Sequence, residues 1–178
     1  MSKFDEKLTE LIKKHYHSPM SIKASRYFKE FYNKTKTTHQ IKANVVGNHG
    51  EYIVTLKVKN GKIESACSCY IGKGGGCHHC EALAYHFWAD PKSFRKITTP
   101  RRQNVMDLES LQKYLEGITL EDLISKMKKK GMTQTAFAES IGMSSRHLGA
   151  IKSAERRNRR FHELGATKLA CLWVLENI

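Results

Sequence analysis

The sequence predicts an α+β chain: N-terminal helices, then a small antiparallel β-hairpin module, then an all-α domain in the C-terminal part. Three observations carry this expectation. Apolar residues recur at helical spacing near the N-terminus, first as Phe4, Leu8, Leu11 and Ile12 and then as Ala24, Phe28 and Phe31. From Ile41 to Cys69 the period falls to two, with Asn60-Gly61 between two such runs. After residue 106 the helical period returns, punctuated by Thr and Ser at cap positions and by glycines where helices should stop.

Taken in order, Phe4, Leu8, Leu11, Ile12 and His15 give residues 3–16 one helical face, and Ser18-Pro19 interrupts it because proline has no N–H to donate. A second helix is expected over 20–33, burying Ala24, Phe28 and Phe31. Ile41, Ala43 and Val45 share one face of a strand, as do Tyr52, Val54, Leu56 and Val58 on a longer one. Asn60-Gly61 suits a type I′ turn, since both central residues tolerate positive φ. The return strand carries Ile63, Ser65, Cys67 and Cys69 on one parity, and a curl is needed at its end if both thiols are to meet. Cys77-His78-His79-Cys80 then opens a helix to about Ala89, with Leu83, Ala84, Phe87 and Trp88 as its buried stripe, and Asp90-Pro91 ends it. Residues 91–106, with Arg95, Lys96, Pro100, Arg101 and Arg102, read as a basic linker between an N-terminal part, 1–90, and a C-terminal domain, 107–178.

In that domain a helix over 107–116 turns Leu108, Leu111 and Leu115 inward and stops at Gly117. Thr119 caps the next helix, with Asp122 three residues on as in a capping box one methylene short. Leu120, Leu123, Ile124 and Met127 are its inner face, and Lys128-Lys129-Lys130 suits its negative C-terminus. Thr133 caps a helix of about 134–141, Gly142 turns the chain, and Ser144 caps the following helix. Phe137, Ile141, Met143, Leu148 and Ile151 form the shared core, with the small Ala138 where the two helices cross. A last helix over 161–177 carries Leu164, Leu169, Leu172, Trp173 and Leu175, with Cys171 in its core; its surplus apolar surface is expected to make a homodimer contact.

The formal charge is +14, from 31 basic and 17 acidic residues. Residues 1–90 hold 14 basic and 8 acidic side chains and residues 91–178 hold 17 and 9, so the excess is spread along the chain and is not a tail. Such a balance attracts polyanions by counterion release. No run approaches the roughly 18 apolar residues that span a bilayer, and Met1-Ser2-Lys3-Phe4-Asp5-Glu6 shows no apolar signal core. A cytoplasmic setting with no membrane partner is therefore expected.

Four of the five cysteines are clustered, in Cys67-x-Cys69-x7-Cys77-x-His79 and Cys80. A disulfide framework would distribute an even number along the chain, whereas clustered CxC and CxH donors read as metal ligation. Three thiolates and one imidazole are a standard set for a closed tetrahedral zinc site, so one structural Zn2+ per chain is expected. Cys80 competes with His79 for the fourth position, because a CxxC at a helix start is also zinc spacing; against it, Cys80 lies on the buried stripe of Leu83 and Ala84, where a free cysteine packs as a small hydrophobe. A hydrolytic zinc would keep an open position and a carboxylate base, and only Glu64 and Glu81 flank the cluster. Gly72-Lys73-Gly74-Gly75-Gly76 lacks P-loop spacing, and no HExxH or deaminase H-x-E is present. The chain is not expected to be an enzyme.

The Tyr52-x-Val54 strand, the hairpin, Ser65-Ala66-Cys67-Ser68-Cys69, Cys77-x-His79 and the helix after them resemble, in that order, the SWIM zinc finger over about 39–90. The resemblance implies Cys67, Cys69, Cys77 and His79 as ligands, and it implies association with DNA-linked proteins or protein–protein contacts. Residues 118–177 resemble the phage-repressor or Cro-like helix-turn-helix, a double-stranded DNA reader. In that geometry Ser144, Ser145 and Arg146 stand at the start of the reading helix, and the guanidinium of Arg146 suits guanine O6 and N7. Gln134 and Thr135 should touch phosphates, and Lys152, Arg156, Arg157, Arg159 and Arg160 form a cationic exit fit to clamp the backbone. The sequence thus reads as a DNA-binding zinc protein, a transcriptional regulator of prokaryotic or phage type in a bacterial or phage-infected cell. A second reading is a protein-interaction factor whose zinc module seizes a polymerase, nuclease or other complex, with auxiliary DNA contact, as in a phage takeover or defence-evasion protein.

Overall fold

Apolar residues at every second position build the sheet that organises the first half of the chain. In a computed structural model, which describes residues 3–16, 19–98, 102–159 and 161–178, the chain is a mixed α and β fold that divides into two compact units, 1–98 and 99–178. The first unit contains α1 (Lys3–His15), α2 (Ile22–Ser25), β1 (Tyr32–Lys36), β2 (Gln40–Gly47), β3 (Gly50–Lys59), β4 (Lys62–Cys67), α3 (His78–Ala89) and β5 (Arg95–Lys96). The sheet order is β4-β3-β2-β1-β5, antiparallel except for the β1–β5 pair.

The long central strands follow the alternation: Ile41, Ala43, Val45, Val54 and Leu56 are fully buried on one face, beneath Leu8 and Ile12 of α1 and Leu83, Ala84 and Phe87 of α3. Lys59 pairs with Lys62 across Asn60 and Gly61, both at positive φ (50° and 73°), as a type I′ turn requires. On the same face Lys36 Nζ bonds both carboxylate oxygens of Asp5 (3.1 and 3.0 Å) and Pro91 O (2.9 Å), tying α1, β1 and the segment after α3 together.

Several expectations for this half need correction. The helix foreseen over 20–33 shrinks to the single turn Ile22–Ser25, capped by Ser21. Phe31 packs inward from an extended chain, and Tyr32–Lys36 pairs with β2 as β1; sheet pairing outweighs a helical spacing that rested on three apolar residues. The start of the presumed linker belongs to the first unit: Phe94 is 2% exposed in its core, Arg95–Lys96 pairs with β1, and Ile97 N–H donates to Lys36 O (2.7 Å). Pro100 and Arg101 lie outside the described residues. Trp88 is not buried but 37% exposed, with the Lys13 ammonium 5.2 Å from its ring centroid. His15 is exposed although the apolar face of α1 runs through its position.

The second unit contains α4 (Leu108–Gly117), α5 (Leu120–Lys129), α6 (Gln134–Ser140), α7 (Ser145–Arg156) and α8 (Leu164–Asn177). Its core joins Leu120, Leu123, Ile124 and Met127 of α5 to Phe137 and Ala138, to Leu148 and Ile151, and to Cys171, Leu172 and Val174. Thr119, Thr133 and Ser144 each accept a backbone N–H at a helix start, as their residue types foretell. Leu108 departs from expectation: it is 84% exposed, at the first position of α4 beside the Asp107–Ser110 capping box. Lys168 bridges Glu155 (2.7 Å) and Leu115 O (2.7 Å), and Glu155 also accepts Leu120 N–H (2.8 Å), so one buried ion pair links α4, α5, α7 and α8. Among the described residues no helix is long and apolar enough to cross a membrane.

Candidate metal centre and the α6–α7 surface

The chain reverses at the end of β4, and that reversal gathers the sulfur donors. β4 stops at Cys67; residues 68–70 bend, and the bend is tied to β3 by Ser68, whose N–H donates to Ile53 O (3.0 Å) and whose Oγ accepts Ile53 N–H (2.9 Å). The expected curl is present. A 3-10 turn, Ile71–Gly74, leads toward Cys77, the N-cap of α3, which carries His79 and Cys80 in its first turn. Gly72 is required by close approach: a Cβ there would lie 2.5 Å from Cys67 Cβ and 3.0 Å from Cys69 Sγ. The sequence offered its glycine run only as a flexible crossing, and nothing in it marked Ser68 as the tie.

Cys67, Cys69, Cys77 and His79 each present one ligand atom, all within 4.8 Å of one another, and all four side chains are buried. His79 Nδ1 is 3.8 Å from both Cys67 Sγ and Cys77 Sγ, close to the roughly 3.5–3.8 Å between donors sharing a tetrahedral zinc. Its Nε2 is buried without a hydrogen-bond partner, beside Gly47, and the rings of Tyr27 and Tyr52 hold the imidazole at centroid distances of 4.5 and 5.1 Å. Cys80 Sγ is 3.7 Å from Cys77 Sγ but falls outside the four-donor set, fully buried on the α3 stripe with Leu83 and Ala84. The geometry groups His79, not Cys80, with the other thiols, an arrangement compatible with a single metal site.

Opposing influences act on the buried thiols. Backbone N–H groups point at two sulfurs, Cys69 N–H at Cys67 Sγ (3.5 Å) and Gly72 N–H at Cys69 Sγ (3.1 Å), and each favours the thiolate, but burial outweighs this at Cys69 and pushes its thiol up. Hydrogen bonding from the Cys67 and Cys80 thiols holds Cys77 below the usual thiol range, and donating to Cys77, together with burial, pushes Cys67 and Cys80 up. Cys77 also stands at the positive N-terminus of α3. Neither nearby acid is aimed at the cluster: Glu81 accepts the N–H and hydroxyl of Ser21 (both 2.7 Å), and Glu64 pairs with Lys59 (3.9 Å).

A second constellation occupies the N-termini of α6 and α7. After α6, Gly142 takes φ 69°, and Ser144 accepts His147 N–H (3.1 Å) to start α7. Gln134 Nε2 and Thr135 Oγ1 both lie 3.5 Å from Ser145 Oγ, and Lys152 Nζ donates to Gln134 Oε1 (3.2 Å). Four of the residues picked from the sequence as contacts are thereby brought together, with Arg146 exposed beside them. Arg156 and Arg159 are exposed; Arg157 is half-buried, its Nε enclosed without a partner, and so is a poorer clamp than its position promised. Arg160 lies outside the described residues.

No protein family, no curated protein and no solved structure matches this chain.

Proposed function

We propose that this chain is a DNA-binding zinc protein, a transcriptional regulator of prokaryotic or phage type. Cys67, Cys69, Cys77 and His79 hold one structural zinc, and the α6–α7 pair acts as a helix-turn-helix on duplex DNA. One observation carries the DNA reading: the two helix starts converge through Gln134, Thr135 and Ser145, leaving Arg146 exposed at the first turn of α7. In this reading α7 enters the major groove, Arg146 pairs with guanine, and the N-terminus of α6 with the exposed Arg156 and Arg159 follows the phosphates. The resemblance of residues 39–90 to the SWIM finger supports the choice of zinc, which when bound supplies four strong bonds that close the β4–α3 junction. The face of α7 beyond Arg146 offers Gly149 and Ala150, so a second copy is expected to contribute to selectivity; Trp173, 65% exposed on α8, supports a homodimer.

Selection of duplexes from a random pool by the intact protein tests the reading. A guanine-containing motif should be enriched, and Arg146→Ala should lose it; enrichment of no motif at any salt concentration overturns sequence-specific reading. Elemental analysis should return one zinc per chain.

The protein-interaction reading has one observation in its favour. Tyr70 and Ile71, at the bend between the two ligand pairs, are 79% and 64% exposed, an apolar tip suited to a protein partner. A stoichiometric protein that stays bound after nuclease treatment, and no longer binds Ile71→Asp, would decide for it.

A further inference from the structure

The sheet of the first unit has two unlike faces. Every buried apolar side chain described in that unit belongs to one cluster, which includes the α1 and α3 side of the sheet. Among the described residues the opposite face contributes no side chain to that cluster, although Thr55 at its centre is only 4% exposed. Its residues are fixed by register: Arg95 pairs with Thr35, Thr35 with Lys42, Lys42 with Thr55 and Thr55 with Ala66, one row across all five strands. The next row pairs Gln40, Lys57 and Glu64.

We propose that this open face is a second duplex-binding surface, on which Arg95, Lys42 and Lys57 contact the sugar–phosphate backbone of DNA. Among the described residues none of these three cations joins an ion pair, in contrast to Lys36 on the other face, whose charge is spent on Asp5. The acids of the face stay on it but are outnumbered: Glu64 stands opposite Lys57 in register and pairs with Lys59 (3.9 Å), and Glu51 accepts from the Asn44 amide near the start of β3. Strands stand about 4.8 Å apart, so Arg95 and Lys42, two strands apart, are separated by roughly 10 Å, with only the short Thr35 between them. Cations set two strands apart along one otherwise uncharged row fit a ridge of phosphates, which needs charge but no pocket. Unpaired bases are a poorer fit, because single strands bind on rows of stacking aromatics and neither row holds an aromatic residue. The surface belongs to the first unit and adds affinity without sequence information, a role distinct from the one given to α7.

The test uses the full chain and a short duplex, with affinity followed against salt. The triple variant Lys42→Glu/Lys57→Glu/Arg95→Glu should bind at least about tenfold more weakly and lower the log–log salt slope by about 2 to 3, at roughly 0.9 for each phosphate no longer neutralised. The milder Lys42→Gln/Lys57→Gln/Arg95→Gln should show the same change at smaller size, with metal content and thermal transitions unaltered in both. Unchanged affinity and slope overturn the proposal, as does a weakening confined to single-stranded oligonucleotides. Weaker binding in the sheet variants but not in Arg146→Ala keeps this surface and removes the α7 reading; the reverse pattern removes this surface and keeps α7.

Discussion

The first unit buries Cys67, Cys69, Cys77, Cys80 and His79 at the junction of β4 and α3, whereas the second closes its core with Leu120, Leu123, Met127, Phe137, Leu148 and Ile151 and buries a single cysteine, Cys171. Both units carry one well-buried ion pair, Lys36–Asp5 and Lys168–Glu155. On the zinc reading proposed above, they differ in what the core needs from outside the chain. Aliphatic side chains satisfy each other by contact, but adjacent thiolates repel and gain from sharing a cation. A metal should therefore be a condition of folding for one unit and irrelevant to the other.

The strongest way to break that contrast is to remove the metal. Chelation should abolish the sheet transition of the first unit, since structural zinc contributes on the order of 10 kcal/mol in small domains, while the helical transition of the second unit persists. His79→Ala should behave like chelation. Cys80→Ala should keep the metal and cost only about 1 kcal/mol, the scale of a small cavity. Two-step thermal melts with parallel metal analysis read all three, and an unaltered first transition in metal-free protein would sink the division.

The reciprocal experiment acts on the second unit. Glu155→Ala leaves the Lys168 ammonium buried with only Leu115 O as acceptor and exposes Leu120 N–H as an unmet donor. Breaking a buried pair from one side costs about 3–5 kcal/mol, so the helical transition should fall steeply while metal content holds. An equal drop in both transitions would show that the units do not melt independently.

How much of this was legible follows the same contrast. The second unit could be read in detail because its signals are local: Thr119, Thr133 and Ser144 cap within three residues, and Gly142 marks its turn. In the first unit the long strands announced themselves, and Cys67-x-Cys69-x7-Cys77-x-His79 named its own cluster. β1 and β5 did not. Tyr32-Asn33-Lys34-Thr35-Lys36 has no apolar alternation, and Arg95–Lys96 is a strand only because β1 lies beside it. The β1–β5 pairing joins residues 60 apart in the chain, so the residues that make it need carry no pattern of their own. Leu108 misled for the opposite reason: its spacing was helical, but it precedes the part of α4 that packs.

Helix starts offer a finer comparison. Ser144 caps α7 through its hydroxyl, whereas Cys77 caps α3 with no side-chain hydrogen bond. Ser144→Ala should cost about 1 kcal/mol in the second unit. Serine is a better cap than cysteine, so Cys77→Ser would stabilise α3 if capping were all that position did. Disappearance of the metal and of the first transition in Cys77→Ser is the expected result, and a gain in stability would contradict the ligand role.

The smallest effect is a difference in pH response. Burial pushes the Cys171 thiol from its ordinary 9.0 up to about 12. Its neutral form is therefore favoured in the folded state; the contribution is whole below pH 9 and is lost as pH rises toward 12, because the unfolded chain surrenders the proton first. The cysteines proposed as ligands should respond with the opposite sign. Bound to metal they are already deprotonated, so it is falling pH that returns their protons and releases the ion. Acid should melt the first unit ahead of the second, and alkali should weaken the second. Cys171→Val removes the titrating group, so the second unit's stability should become flatter above pH 9 relative to the unsubstituted chain, while the acid transition of the first stays where it was. A variant as alkali-sensitive as the parent would place the alkaline weakness in other groups.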